Sequence, residues 1–239
     1  HSKNILNKFN NINWNEAIIE LHKSENIGNY KKNFYQRLAF DEIFSTFLVN
    51  SEIRKKIKKI KKIGKCLDKI KQTNIINKLK FSLTKDQKKT LEEINKDLSS
   101  TNKMFRLLQG DVGSGKTIVS LIAAYNTVNS GFQVAVMAPT EILARQHFNF
   151  AKKLFLKKIN IELISGKSEY KSKKNILNKL VNNKIDIIFG THAIFQKKVN
   201  FKNLGLIIID EQHKFGVNQR KQLSDKGGNN CDVLLMTAT

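Results

Sequence analysis

Gly110-Asp111-Val112-Gly113-Ser114-Gly115-Lys116-Thr117 has the spacing G-x-x-x-x-G-K-[ST] at every fixed position. The glycines allow consecutive backbone N–H groups to turn inward around phosphate oxygens. A helix starting at the loop would turn its positive end toward the same anion. Lys116 is then the cation for the β- and γ-phosphates, and the Thr117 hydroxyl is a ligand for Mg²⁺. Further along, Leu206-Ile207-Ile208-Ile209 runs into Asp210-Glu211-Gln212-His213. An acidic pair after an apolar strand is by itself often only a helix cap. Downstream of a phosphate loop it has a second use. Asp210 can hold Mg²⁺ through its water shell, and Glu211 can orient or deprotonate an attacking water. ATP and Mg²⁺ are the expected ligands.

The elements that must carry these residues are legible from residue 83 onward. Short apolar runs at residues 105–109, 133–138, 161–165, 185–189, 204–209 and 233–236 have the make-up of buried strands. Helical patterns at 117–129, 141–155 and 168–181 separate most of them. The alternation predicts an α/β domain, an open, mostly parallel, doubly wound sheet with helices on both faces. Ligands of such sheets gather at the carboxyl ends of strands, where both motifs fall.

Residues 1–80 have a different character and are expected to be helical. Trp14, Ala17, Ile18 and Leu21 form one apolar helix face, 24–33 is a polar loop, and 35–49 is apolar without a breaker. Ile53, Ile57, Ile60, Ile63, Leu67 and Ile70 recur at helical spacing with lysines between them, predicting a Lys-rich helix within 51–80. Two uses stand for it: a helix docked by its Ile face with lysines in solvent, or one whose lysines also meet DNA phosphates. A membrane-surface helix is disfavoured because the stripe lacks aromatic anchors.

Composition bounds the rest. The 43 Lys and Arg against 20 Asp and Glu leave a net charge of +23, which suits a polyanionic partner. The excess is nearly all Lys, beside abundant Asn and Ile, so AT-biased codons account for it equally well. Cys66 and Cys231 lie far apart, without neighbours at metal-ligand spacing, and fit free thiols in a reducing cytoplasm. No apolar run reaches the roughly 20 residues that span a bilayer. The opening His1-Ser2-Lys3-Asn4 lacks an initiator Met and a signal-peptide pattern, which suggests a piece of a longer protein.

Other segments narrow the nucleotide site to one kind of enzyme. Asp210-Glu211-Gln212-His213 resembles the DExH box of superfamily 2 helicases. The segment from Ala138-Pro139-Thr140-Glu141 to Ala144-Arg145-Gln146-His147 resembles their motif Ia. Gly190-Thr191-His192-Ala193-Ile194-Phe195-Gln196 is similar to a DNA-contact motif, Thr237-Ala238-Thr239 to motif III, and Leu83-Thr84-Lys85-Asp86-Gln87 to the element whose Gln87 recognises adenine. The wording of these motifs is closest to the RecG family of DNA helicases, over most of residues 14–239. Arg37-Leu38-Ala39-Phe40-Asp41-Glu42-Ile43 resembles the RecG helix ahead of the motor, and residues 14–22 the tail of the connection from its DNA-wedge domain. Lys214 departs from the Arg common there, which keeps the charge and loses the bidentate fork.

The resemblance implies a RecA-like P-loop NTPase domain at 81–239, holding motifs from the Gln element to motif III, behind a helical linker region at 1–80. It implies DNA-phosphate contacts at Pro139, Thr140, Thr191 and His192, and a bridge from His213 to the γ-phosphate side. It implies coupling to the next domain by Thr237, Ala238 and Thr239. It further implies a second RecA-like domain with an arginine finger after Thr239 and most of the wedge before residue 1, so that residues 1–239 alone would hydrolyse little ATP. The expected protein is a nucleoid-associated, cytoplasmic monomer of bacterial type that regresses forks and migrates Holliday junctions, without a membrane partner. A transcription-repair coupling translocase is the nearest alternative, but its Gly-Phe-Gly-Lys-Thr and Asp-Glu-Glu-His wordings differ at Ser114 and Gln212. A nucleotide- and DNA-binding fragment without turnover and a basic RNA helicase are the readings of other kinds.

Overall fold

A computed structural model of the chain describes residues 7, 12–23, 29–156, 159–164, 170–196, 198–211 and 228–238. It divides into two compact units, residues 1–56 and 57–239. In the first, helix α1 (Trp14–His22) places Ala17 with Ile12 and Phe34 in a small apolar cluster, flanked by Leu21 and Leu38. Trp14, expected on the same face, is exposed. Helix α2 (Asn29–Lys58) takes in the apolar stretch at 35–49, and also residues 29–33, which the sequence suggested were loop.

The second unit is a six-stranded sheet in the order β1-β6-β5-β2-β4-β3. The strands are β1 (Phe105–Gln109), β2 (Gln133–Met137), β3 (Ile161–Ile164), β4 (Ile187–Gly190), β5 (Leu204–Ile209) and β6 (Asp232–Thr237). All five neighbouring pairs are parallel. Strands β2, β4 and β5 are buried at every residue, and β6 at all but its last, because helices cover both faces. The main helices are α3 (Lys69–Ile76), α4 (Lys85–Ser99), α5 (Lys116–Asn129), α6 (Glu141–Phe155) and α7 (Tyr170–Val181). Helix α5 is buried without interruption from Ile118 to Thr127, the mark of a central helix. The α/β, doubly wound reading and its strand and helix positions thus hold to within about two residues, the usual uncertainty of element ends. Among the described residues no helix is long and apolar enough to cross a membrane.

One expectation fails. The Lys-rich helix stops at Lys58, residues 59–68 are not helical, and α3 starts only at Lys69. The intervening chain runs beside the end of α4. Lys62 N–H donates to the Thr101 carbonyl (2.9 Å), Lys65 N–H to that of Leu98 (3.0 Å) and Lys103 N–H to that of Ile60 (3.0 Å). Gly64 permits the approach, since a Cβ there would stand 2.4 Å from the Ser99 carbonyl oxygen. Part of the stripe is also reversed: Ile63 is 62% exposed and Ile70 75%, while Lys62 and Lys65 are buried. Both ammonium groups meet Asp232 Oδ2, at 2.5 and 2.6 Å, and Asp232 Oδ1 accepts from Met104 N–H at 2.7 Å. Lys62 also donates to the Asp97 and Leu98 carbonyls at the end of α4, where a helix presents its negative pole. A fully buried carboxylate and two cations override helical periodicity because none can stay buried unpaired. Burial pushes the Lys62 ammonium below its usual pKa, against the opposing pull of Asp232.

Candidate nucleotide and nucleic-acid site

Because every strand runs the same way, the turns after them leave one edge of the sheet. Along that edge lie Gly110 after β1, Thr237 and Ala238 at the end of β6, Asp210 and Glu211 after β5, Pro139 and Thr140 after β2, and Thr191 and His192 after β4. Backbone bonds tie neighbours in this row: Gly110 N–H to the Thr237 carbonyl (3.4 Å), Asp210 N–H to that of Met137 (2.8 Å), and Ala138 N–H to that of Gly190 (3.0 Å). The edge thus collects residues spread over more than 120 positions of sequence. Gln212, His213, Lys214 and Thr239 lie outside the described residues.

The loop 110–117 has the form its glycines predict. Gly113 and Gly115 take φ of +83° and +84°, left-handed backbone that glycine adopts without strain. Gly115 is the N-cap of α5, whose first residue is Lys116. The space on the inner side is narrow: a Cβ on Gly110 would stand 2.9 Å from Ser114 Oγ. Lys116 Nζ donates to the Gly110 and Asp111 carbonyls at 2.6 and 2.8 Å. Its ammonium is therefore held over the mouth of the loop by weak, neutral acceptors.

Gln87 reaches the loop from the other side. Thr84 Oγ1 accepts from Gln87 N–H (3.2 Å) and Gln87 Oε1 from Thr84 N–H (3.0 Å), a capping box that starts α4. Gln87 Nε2 then donates to the Ser114 carbonyl at 2.8 Å. One amide is thereby shared between a helix cap and the phosphate loop.

The acidic pair is asymmetric. Asp210 is buried and Glu211 is partly exposed. Glu211 takes φ of +52°, and its N–H turns back to Asp210 Oδ1 at 3.0 Å. Asp210 Oδ2 meets His147 Nε2 at 2.8 Å. The sequence had His147 within a motif but assigned it no role. The available signal was its position among Ala144, Ala151 and Leu154, on the buried stripe of α6, where a polar residue needs a partner.

At the remaining positions, Thr140 is the N-cap of α6, its hydroxyl accepting from Leu143 N–H at 3.3 Å. Thr191 precedes a single 3-10 turn, His192–Phe195. Thr237 Oγ1 donates to the Ala238 carbonyl at 2.9 Å.

A family model described as DEAD/DEAH box helicase matches residues 84–239. The chain belongs to that family. Among individual relatives, this helicase chain is 40% identical to the ATP-dependent DNA helicase RecG of Streptococcus pneumoniae, over 99% of its own length and 35% of the relative's. It is 44% identical to RecG of Thermotoga maritima, over 88% of itself and 28% of that protein. The chain thus spans about a quarter to a third of the length of the curated relatives it matches. A solved structure of RecG bound to a three-way DNA junction aligns over 99% of the chain and 32% of its own, at 38% identity and a TM-score of 0.75. The homology to RecG read from the motifs is borne out. The DEAD-box helicase Mss116 bound to ssRNA, at 23% identity and a TM-score of 0.55, shares the helicase fold.

Proposed function

We propose that the chain is the first motor domain of a RecG-type, ATP-dependent DNA helicase that acts on branched DNA, regressing forks and migrating Holliday junctions in recombination and repair. One observation carries the reading. The likeness to RecG, including the RecG structure on a three-way junction, extends over 99% of the chain and so through the 83 residues ahead of the helicase-family match. On this reading residues 1–80 are the linker region that follows a wedge domain, and 81–239 the ATP-binding domain. The protein works as a monomer in a bacterial cytoplasm, on the nucleoid.

The site residues take the roles their chemistry suits. Backbone N–H groups of the loop 110–115 cradle phosphate, and Lys116 exchanges its two carbonyl acceptors for the more strongly attracting β- and γ-phosphate oxygens. Gln87 keeps one amide hydrogen and one lone pair beyond its bonds to Thr84 and Ser114, enough for an adenine edge. The Thr117 hydroxyl is a hard oxygen donor of the kind Mg²⁺ takes beside phosphate, and the Asp210 carboxylate would hold the ion through its water shell. When bound, Mg²⁺ neutralises charge developing on the transferred phosphoryl group. Glu211 orients the attacking water, and His213 bridges from the γ-phosphate side. Pro139, Thr140, Thr191 and His192 meet DNA phosphates through N–H groups and side chains, which positions the strand without reading its sequence. Thr237, Ala238 and Thr239 pass the state of the nucleotide to a second motor domain. That domain's arginine finger is worth about 10³–10⁵ in rate, so residues 1–239 alone bind nucleotide and turn it over slowly.

The test is ATP hydrolysis by the full-length protein with forked DNA, plain duplex or no DNA, using Lys116→Ala as the blank. Stimulation by forks well above duplex is expected. Equal stimulation by any duplex would transfer the chain to the coupling-translocase class, and stimulation by RNA alone would overturn the DNA reading.

A further inference from the structure

We infer that His147 is a positioning residue for the metal-binding carboxylate, fixing Asp210 from helix α6. The inference rests on the reading that Asp210 holds Mg²⁺. An ionised carboxylate only accepts hydrogen bonds, so the 2.8 Å contact requires a proton on His147 Nε2. Oδ1 is occupied separately by the Glu211 N–H at 3.0 Å. With one donor on each oxygen the carboxylate plane is set, and two of its roughly four lone-pair positions stay available for a metal's water shell. Both side chains are nearly nine-tenths buried, so water competes weakly for either bond.

The placement of His147 adds a second consequence. It lies seven residues after Thr140, the N-cap of α6, on the helix face that also buries Ala144 and Ala151. Seven residues of helix span about 10 Å. The helix whose first turn is proposed to meet a DNA phosphate therefore touches the nucleotide side through this imidazole. A shift of α6 along its axis would turn or release the Asp210 carboxylate. Partners of this outer kind set metal affinity, and their removal typically costs about 10–100-fold.

The experiment titrates Mg²⁺ into the full-length protein with a fluorescent ATP analogue, and separately measures analogue binding in EDTA. His147→Phe fills the volume without a donor. It is expected to raise the Mg²⁺ midpoint about 10–100-fold while leaving binding in EDTA unchanged. His147→Gln, which keeps a donor, should recover most of the shift. If the Phe variant does not fold, His147→Ala gives the same reading, its raised midpoint brought back by added imidazole. An unshifted midpoint in His147→Phe, or in His147→Ala where that stands in, overturns the inference provided Asp210→Ala moves it. If Asp210→Ala also leaves the midpoint unmoved, the metal reading itself fails.

Discussion

Lysine does opposite work in two stretches about fifty residues apart. In the loop 110–117, Lys116 meets two backbone carbonyls among the described residues, a contact that phosphate oxygens can replace. In the stretch 60–65, Lys62 and Lys65 are closed inside the fold on one carboxylate, and phosphate cannot reach them. Of the two uses foreseen for the Lys-rich segment, neither fits these two residues, although Lys59 and Lys61 beside them are exposed. A basic run is therefore not a nucleic-acid surface by composition. What each ammonium faces, a carboxylate or open solvent, decides whether it is an anchor or a contact.

The largest effect is expected from Asp232→Ala. It leaves two buried cations without their carboxylate and is expected to cost about 3–5 kcal/mol in urea unfolding. A loss below 1 kcal/mol would mean the lysines are not committed to the interior. Lys116→Ala should do the reverse. Nucleotide affinity falls by the equivalent of about 1.5–3 kcal/mol, the worth of a hydrogen bond to a charged group, while the unfolding midpoint stays nearly unchanged.

Two cysteines sharpen the contrast further. Cys66 is exposed, whereas Cys231, next to Asp232, is buried, and that burial pushes its thiol up to about 12. An alkylating reagent at pH 8 should label Cys66 quickly and Cys231 only on unfolding, or in Asp232→Ala. The folded pKa of Cys231 exceeds its unfolded value of about 9, so the stabilisation from its protonated form is complete below pH 9 and declines as pH rises toward 12. Denaturant midpoints of the parent and Cys231→Ala should therefore converge over that window. The smallest effect belongs to Ile63→Lys. A core position would be ruined by it, but at 62% exposure the change should stay within about 0.5 kcal/mol.

How far the site could be read in advance depended on the range of the interactions involved. Loop 110–117 was legible because positive φ at Gly113 and Gly115 is a local demand that glycine alone meets without strain. The Thr84–Gln87 capping box is local too, whereas the bond from Gln87 to Ser114 crosses 27 residues and leaves no mark in sequence. His147 and Asp210 are 63 residues apart and were seen as members of separate motifs.

The order of strands and helices, the phosphate loop and the acidic pair are legible in the chain alone, since alternation, apolar runs and glycine spacing act over a few residues. The assembled fold alone shows that residues 59–68 abandon the helix, that His147 belongs to Asp210, and that β6 is inserted between β1 and β5 in the sheet. The physical reason is common to all three. Pairing a buried charge or a strand requires a partner distant in the chain, and only the assembled fold brings that partner within hydrogen-bonding distance.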